Sequence, residues 1–176
     1  MRTLQIFSLR SQQRCVCCHN TGILSNIKQY SNQINVIFGL MNEPHDIPSL
    51  STWSTTCQAA VTAIRSAGAT SQLILLPGTD FTGAQTFIVS GSAGNLSTIK
   101  NPDGTSTSLI FDVHKYLGTD GSGTHAECVS DHVQDTFIPL AKYLRDSGRM
   151  AILSETGGGN TTSVRRRSLL WTVDKI

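Results

Sequence analysis

Largely apolar runs recur along the chain at 36–42, 73–77 and 150–155, each giving way at its end to polar or small residues. Runs of this length read as strands buried on both faces. In a further stretch, 108–117, Asp112, His114 and Tyr116 fall at every second position, so these three share one face of a strand. Between the strands the period changes. Trp53, Cys57, Ala60, Val61 and Ile64 fall at helical spacing within 51–67, as do Val133, Phe137, Leu140, Ala141 and Leu144 within 130–146. Ser51 is the expected N-cap of the first of these helices and Gly68 its stop; Pro139 should bend the second and Gly148 end it. Ile23, Leu24, Ile27 and Tyr30 mark a helix within 22–33. Residues 82–104, rich in Gly, Ser, Ala and Asn, predict a short helix and a loop, and 118–128 a polar loop. The pattern predicts four strand–helix steps in a parallel α/β sheet, joined by right-handed crossovers.

With 39% hydrophobic and 15% charged residues, the 176-residue chain can bury a core and has the length of one domain. Its net charge of +2 comes from scattered basic residues, which excludes a nucleic-acid footprint, and no apolar run is long enough to span a bilayer. The five cysteines, three of them crowded at Cys15, Cys17 and Cys18, do not form a tidy disulfide framework. Residues 1–20 carry three arginines, no acidic residue and no secretory apolar region, and read as lying outside the barrel. Cys15-Val16-Cys17-Cys18-His19 has c-type haem-attachment spacing, a five-residue pattern that carries little weight by itself. Sequons stand at Asn95 and Asn160.

The candidate chemistry sits at strand ends. VIFGLMNEPHD (36–46) delivers Glu43 where Pro44 halts a strand, and AILSETGGGN (151–160) delivers Glu155 before a Gly-rich loop. FDVHKYL (111–117) brings His114 and Tyr116 to the same end. Two carboxyl groups at the carboxyl ends of buried parallel strands suit paired acid/base and nucleophile work. Phe81, after the strand 73–77, is either a sugar-stacking platform or a rim residue packed on the fold.

These three stretches, in this order, resemble glycoside hydrolase family 5, with closest likeness to the fungal endo-β-1,4-glucanases, from about residue 21 to about 163. The resemblance implies a partial TIM (β/α)8 barrel holding the fourth through seventh strands, since a complete barrel takes about 200 residues or more. It divides the chain into a non-homologous segment 1–20, a partial catalytic domain 21–163 and a divergent tail 164–176. It implies Glu43 as acid/base, Glu155 as nucleophile, and Asn42, His114, Tyr116 and Phe81 as substrate-binding residues. Asn42 and Glu43 can serve together only if the strand ends there. The implied partner is a β-1,4-linked glucan, with no metal, cofactor, nucleic acid or membrane, and the implied location is extracellular. It also implies supporting groups on strands outside this likeness and a cysteine partner downstream of Cys128, where none follows. The alternative is a non-catalytic remnant of such an enzyme. The inner face of four strands alone, including Phe38 or Met41 and Leu153, is expected to lie exposed.

Overall fold

The structure is a computed structural model that describes residues 2–5, 27–125 and 127–158. Five parallel strands stand side by side in chain order: β1 (Arg2–Gln5), β2 (Val36–Gly39), β3 (Ile74–Pro77), β4 (Leu109–Tyr116) and β5 (Ala151–Gly157). The last four are the expected strands. Parallel neighbours need a crossover, and α1 (Leu50–Ser66), α2 (Ser92–Ser97) and α3 (Ile138–Ser147) provide one in each interval from β2 to β5.

β1 corrects the reading of the first residues as lying wholly outside the barrel. Arg2–Gln5 pairs in register with β2, from Arg2 opposite Val36 to Gln5 opposite Gly39. The bare edge of β2 offers unpaired backbone donors and acceptors, and a short extended segment satisfies them. The Cys15–His19 spacing and Asn160 lie outside the described residues. Asn95 sits in α2, where its amide donates to the Gly91 carbonyl at 3.0 Å.

Alternation along the strands builds two cores. Phe38, Ile74, Leu76, Leu109, Phe111 and Val113 face the helices and meet Trp53, Cys57, Val61, Ile64 and Leu140. Ile37, Leu75 and Ile110 face the other way and cluster with Leu73 and Ile152. The expected inner-face residues are therefore corrected: Phe38, Met41 and Leu153 all pack on the helix side. The inner face is not open either. Ile37, Leu75 and Ile110 are only 5%, 3% and 6% exposed, because inward side chains on neighbouring strands, such as Leu75 opposite Ile110, cover one another.

The helix ends differ from expectation in two places. The N-cap of α1 is Ser49, not Ser51: the Ser49 hydroxyl accepts the Thr52 N–H at 3.3 Å, and Ser51 pairs with it from within the first turn. Pro139 does not bend a long helix. A π-helical turn, Val133–Phe137, comes first, and Pro139 lies in the opening turn of α3, where its missing N–H costs no intrahelical bond. Gly68 and Gly148 follow the helices as expected, with φ of 98° and 63°.

At the carboxyl end of β3 the indole N–H of Trp53 donates to the Pro77 carbonyl at 2.9 Å, tying α1 to the strand end. The next residue, Gly78, has no room for a side chain, since a Cβ would stand 2.8 Å from Phe87 and from Ser92. Gly78→Ala should destabilise the fold by about 1–3 kcal/mol, read as a lower midpoint in urea unfolding.

Candidate active site

β2 ends at Gly39, three residues earlier than its apolar run, and the chain leaves the sheet before Asn42 and Glu43. Glu43 takes a left-handed conformation, φ 44°, ahead of Pro44. The strand has thus ended before the motif, as joint use of Asn42 and Glu43 requires. The Glu43 carboxylate reaches the inward face of β4, and Asn42 is exposed.

Glu155 reaches the same place by a different device. Val113 pairs with Leu153, but His114 pairs with Glu155, so Ser154 is an extra residue in β5. Such a bulge re-aims the side chains that follow it. Leu153 faces the helices. In a regular strand Glu155, two residues on, would follow it there. The bulge instead turns Glu155 inward beside His114 and Tyr116.

The three strand ends converge on one imidazole. His114, 5% exposed, places Nδ1 at 2.9 Å from Glu43 Oε1 and 3.5 Å from Glu155 Oε2. The Tyr116 hydroxyl donates to Glu155 Oε2 at 3.0 Å. That hydrogen bond, followed by partial burial and the charge of Glu155, holds the Tyr116 phenol above its ordinary pKa. Behind the ring, Asp112 Oδ1 lies 3.9 Å from His114 Nε2 and accepts the Ser154 hydroxyl. Burial pushes the Asp112 carboxyl up, against the opposing pull of the Ser154 bond and His114.

By donor chemistry, Glu43, His114 and Glu155 could hold a divalent ion, since one ligand atom from each lies within 4.8 Å of the others. The same atoms also form the hydrogen bonds just described. Next to them is a cleft of about 400 Å³ lined by Tyr116, Gly123, Thr124, His125 and Gly157 among others. Gly123 lies flat on the Tyr116 ring, where a Cβ would meet ring carbons at 2.8 Å.

Phe81 stands apart on the rim, 55% exposed, stacked on His45 with ring centroids 4.4 Å apart and planes 18° apart. Asp80, Phe81 and Thr82 are all left-handed, with φ of 56°, 57° and 59°. The Phe81 N–H donates to the Pro44 carbonyl at 3.1 Å, which ties this turn to the segment after Glu43. Of the expected residues, Glu43, His114, Tyr116 and Glu155 thus form one connected group, Asn42 adjoins it in sequence, and Phe81 joins through backbone. Asp112, Ser154 and His45 were not among the expected site residues. Period-two alternation already placed Asp112 with His114, whereas nothing in the sequence pattern marks Ser154 as extra.

Parallel strands in chain order, helices on the outer face and acidic groups at one rim define part of an α/β-barrel domain of the kind that carries its chemistry at the carboxyl ends of its strands. The family description "Cellulase (glycosyl hydrolase family 5)" matches residues 24–175, and the chain belongs to that family. It is 58% identical over 135 residues to endoglucanase EG-II of Hypocrea jecorina, covering 77% of this chain and 32% of that protein. It is 54% identical to the manganese dependent endoglucanase Eg5A of Phanerodontia chrysosporium, covering 77% and 35%. The crystal structure of Cel5A (EG2) from Hypocrea jecorina superposes with a TM-score of 0.80 at 54% identity, over 82% of this chain and 44% of that one. XacCel5A in complex with cellopentaose superposes with a TM-score of 0.75 at 32% identity, over 96% and 55%. The chain thus spans about a third of the length of the curated relatives it matches. Among the described residues Cys128 is a free, buried thiol and Cys57 is buried in the outer core, and no helix is long and apolar enough to cross a membrane.

The Tyr116–Glu155 bond can be tested by titration. Glu155→Gln removes the negative charge beside the phenol and lets Tyr116 ionise more readily. Its phenolate absorbance should therefore appear at lower pH than in the parent chain; an unchanged titration would show that Glu155 is not the group raising it.

Proposed function

We propose that this chain carries the catalytic pair of a retaining endo-β-1,4-glucanase, with Glu43 as acid/base and Glu155 as nucleophile. The observation that carries the reading is the spacing of the two carboxylates: an oxygen of each lies within 4.8 Å of the other, across a single His114 nitrogen. Retaining glycosidases hold their carboxyl groups about 5–5.5 Å apart, whereas inverting ones leave about 6.5–9.5 Å for a water. A hydrogen bond from the Tyr116 hydroxyl fixes the orientation of the Glu155 carboxylate. Glu43 meets the same His114 nitrogen from the loop after β2, where it can reach a leaving oxygen. Glu43 would protonate that oxygen as Glu155 attacks the anomeric carbon, and would then activate water to release the glycosyl-enzyme. His114, Tyr116 and Asn42 are positioned to bind the sugar at the bond being cut, and Phe81 to stack on a neighbouring pyranose face. The names of the relatives and a neighbour's cellopentaose complex support a β-glucan substrate. An extracellular site of action follows from the same likeness to fungal endoglucanases.

The roles are separable in a chimera in which residues 24–158 replace the matching segment of EG-II. The unsubstituted chimera should cut carboxymethylcellulose in preference to mannan, and the first anomer formed, followed by NMR, should be the retained one. Glu155→Ala should abolish hydrolysis and be rescued by azide, giving a glycosyl azide of inverted configuration. Glu43→Ala should lose about 10²–10⁴-fold in rate and yield the retained azide, because azide then intercepts the glycosyl-enzyme. The opposite pair of azide products would exchange the two roles, and an inactive chimera would favour the non-catalytic reading of the chain.

A further inference from the structure

Asp112 and Ser154 take no part in the chemistry proposed above, yet they are built into the same group. Asp112 is 7% exposed on the inward face of β4, two residues before His114. Ser154, whose hydroxyl donates to it, is the extra residue of the bulge in β5 whose insertion turns Glu155 inward. Every acidic group that the structure ranges around the His114 ring can be named. Glu43 and Glu155 face Nδ1, and Asp112 faces Nε2. Tyr116, on the same strand, is engaged with Glu155. Lys115, between them in sequence, bonds Gln85.

An imidazole can turn over about its Cβ–Cγ bond, exchanging nitrogens for carbons, and the partner on one side decides what the other side presents. Glu43 and Glu155 select the orientation that presents Nδ1 to them rather than the ring carbon Cδ2, and a carboxylate beside Nε2 adds to that selection from the other side of the ring. We propose that Asp112, anchored by Ser154, is a positioning residue that holds the Nε2 side of His114 and so fixes Nδ1 between Glu43 and Glu155. At 3.9 Å the carboxylate is beyond direct hydrogen-bond reach of Nε2 and acts through its charge. Ser154 thereby serves twice: its backbone aims Glu155 and its hydroxyl holds the carboxylate that aims His114. The catalytic consequence rests on the glycosidase reading above; the orientation of the ring does not.

The test is made on the 176-residue chain labelled with ¹⁵N-histidine, by NMR correlation of ring protons to ring nitrogens. In the parent chain the His114 ring N–H should exchange slowly with water and Nδ1 should carry the shift of a nitrogen hydrogen-bonded to carboxylate. Asp112→Asn keeps the shape and removes the charge. It should speed exchange of the ring N–H and move both ring-nitrogen shifts. Asp112→Glu should restore part of the parent pattern. Ser154→Ala, a change at an exposed position, should shift the signals in the same direction by less, and it decides the matter by itself if Asp112→Asn does not fold. Unmoved His114 nitrogen shifts and exchange in these variants would overturn the inference. Failure of the glycosidase reading would show instead as an inactive chimera, with the His114 signals still responding to Asp112.

Discussion

One extra residue in β5 governs the geometry of the whole rim. A strand offers its side chains to alternate faces without exception, so an apolar run that packs Leu153 on the helices commits the residue two places on to the same side. The departure at Ser154 cancels that commitment after the core has been built and before the acidic group arrives. Its cost is a gap in the β4–β5 ladder at Val113/His114. In return, two carboxylates, one from the loop after β2 and one from β5, meet on one imidazole nitrogen of β4. Around that nitrogen the charges are crowded. Two carboxylates lie within reach of Nδ1 and a third, buried one lies on the far side, an arrangement that survives only where each carboxylate also has a donor or a cation to face.

The site can be held this closely because the layer beneath it is rigid. The sheet is sandwiched between an outer core shared with the helices and an inner core of aliphatic side chains, and the two are fixed by the same alternation. The carboxyl ends of the strands inherit that rigidity. Trp53 carries it one step further by pinning the end of β3 from α1, and Gly78 passes through a space too small for any other residue. His114, Tyr116 and Glu155 therefore stand within the last three residues of packed strands, and Glu43 on the loop that leaves β2.

The strands, the helices and the four central site residues were legible in the sequence, because hydrophobic period and motif spacing are local signals. What escaped was set by pairing or by competition between neighbouring groups. The bulge depends on how β5 registers with β4, which no single strand reveals, and Asp112 acquires its role only through Ser154. The inward face was misread because a run such as 36–42 is apolar at every position and gives no phase; only the packing partner decides that Ile37, not Phe38, turns inward. Ser49 won the capping position from Ser51 because both hydroxyls are available and the helix begins two residues earlier. β1 was invisible because four residues with an arginine at one end carry no periodicity, and the edge of β2 supplies what their own sequence lacks.

The turn at Asp80–Thr82 has a consequence for how this region can vary. Three successive L-residues in the left-handed region cost about 1–3 kcal/mol each, a debt that must be met by the bond from Phe81 to Pro44 and by the buried Thr82. A turn under that load has few ways to lengthen or shorten without collapsing into an ordinary conformation. Diversification at this rim is therefore channelled into the ring carried at position 81 and the ring opposite it at position 45, with the backbone acting as a fixed mount on which aromatic surfaces can be exchanged.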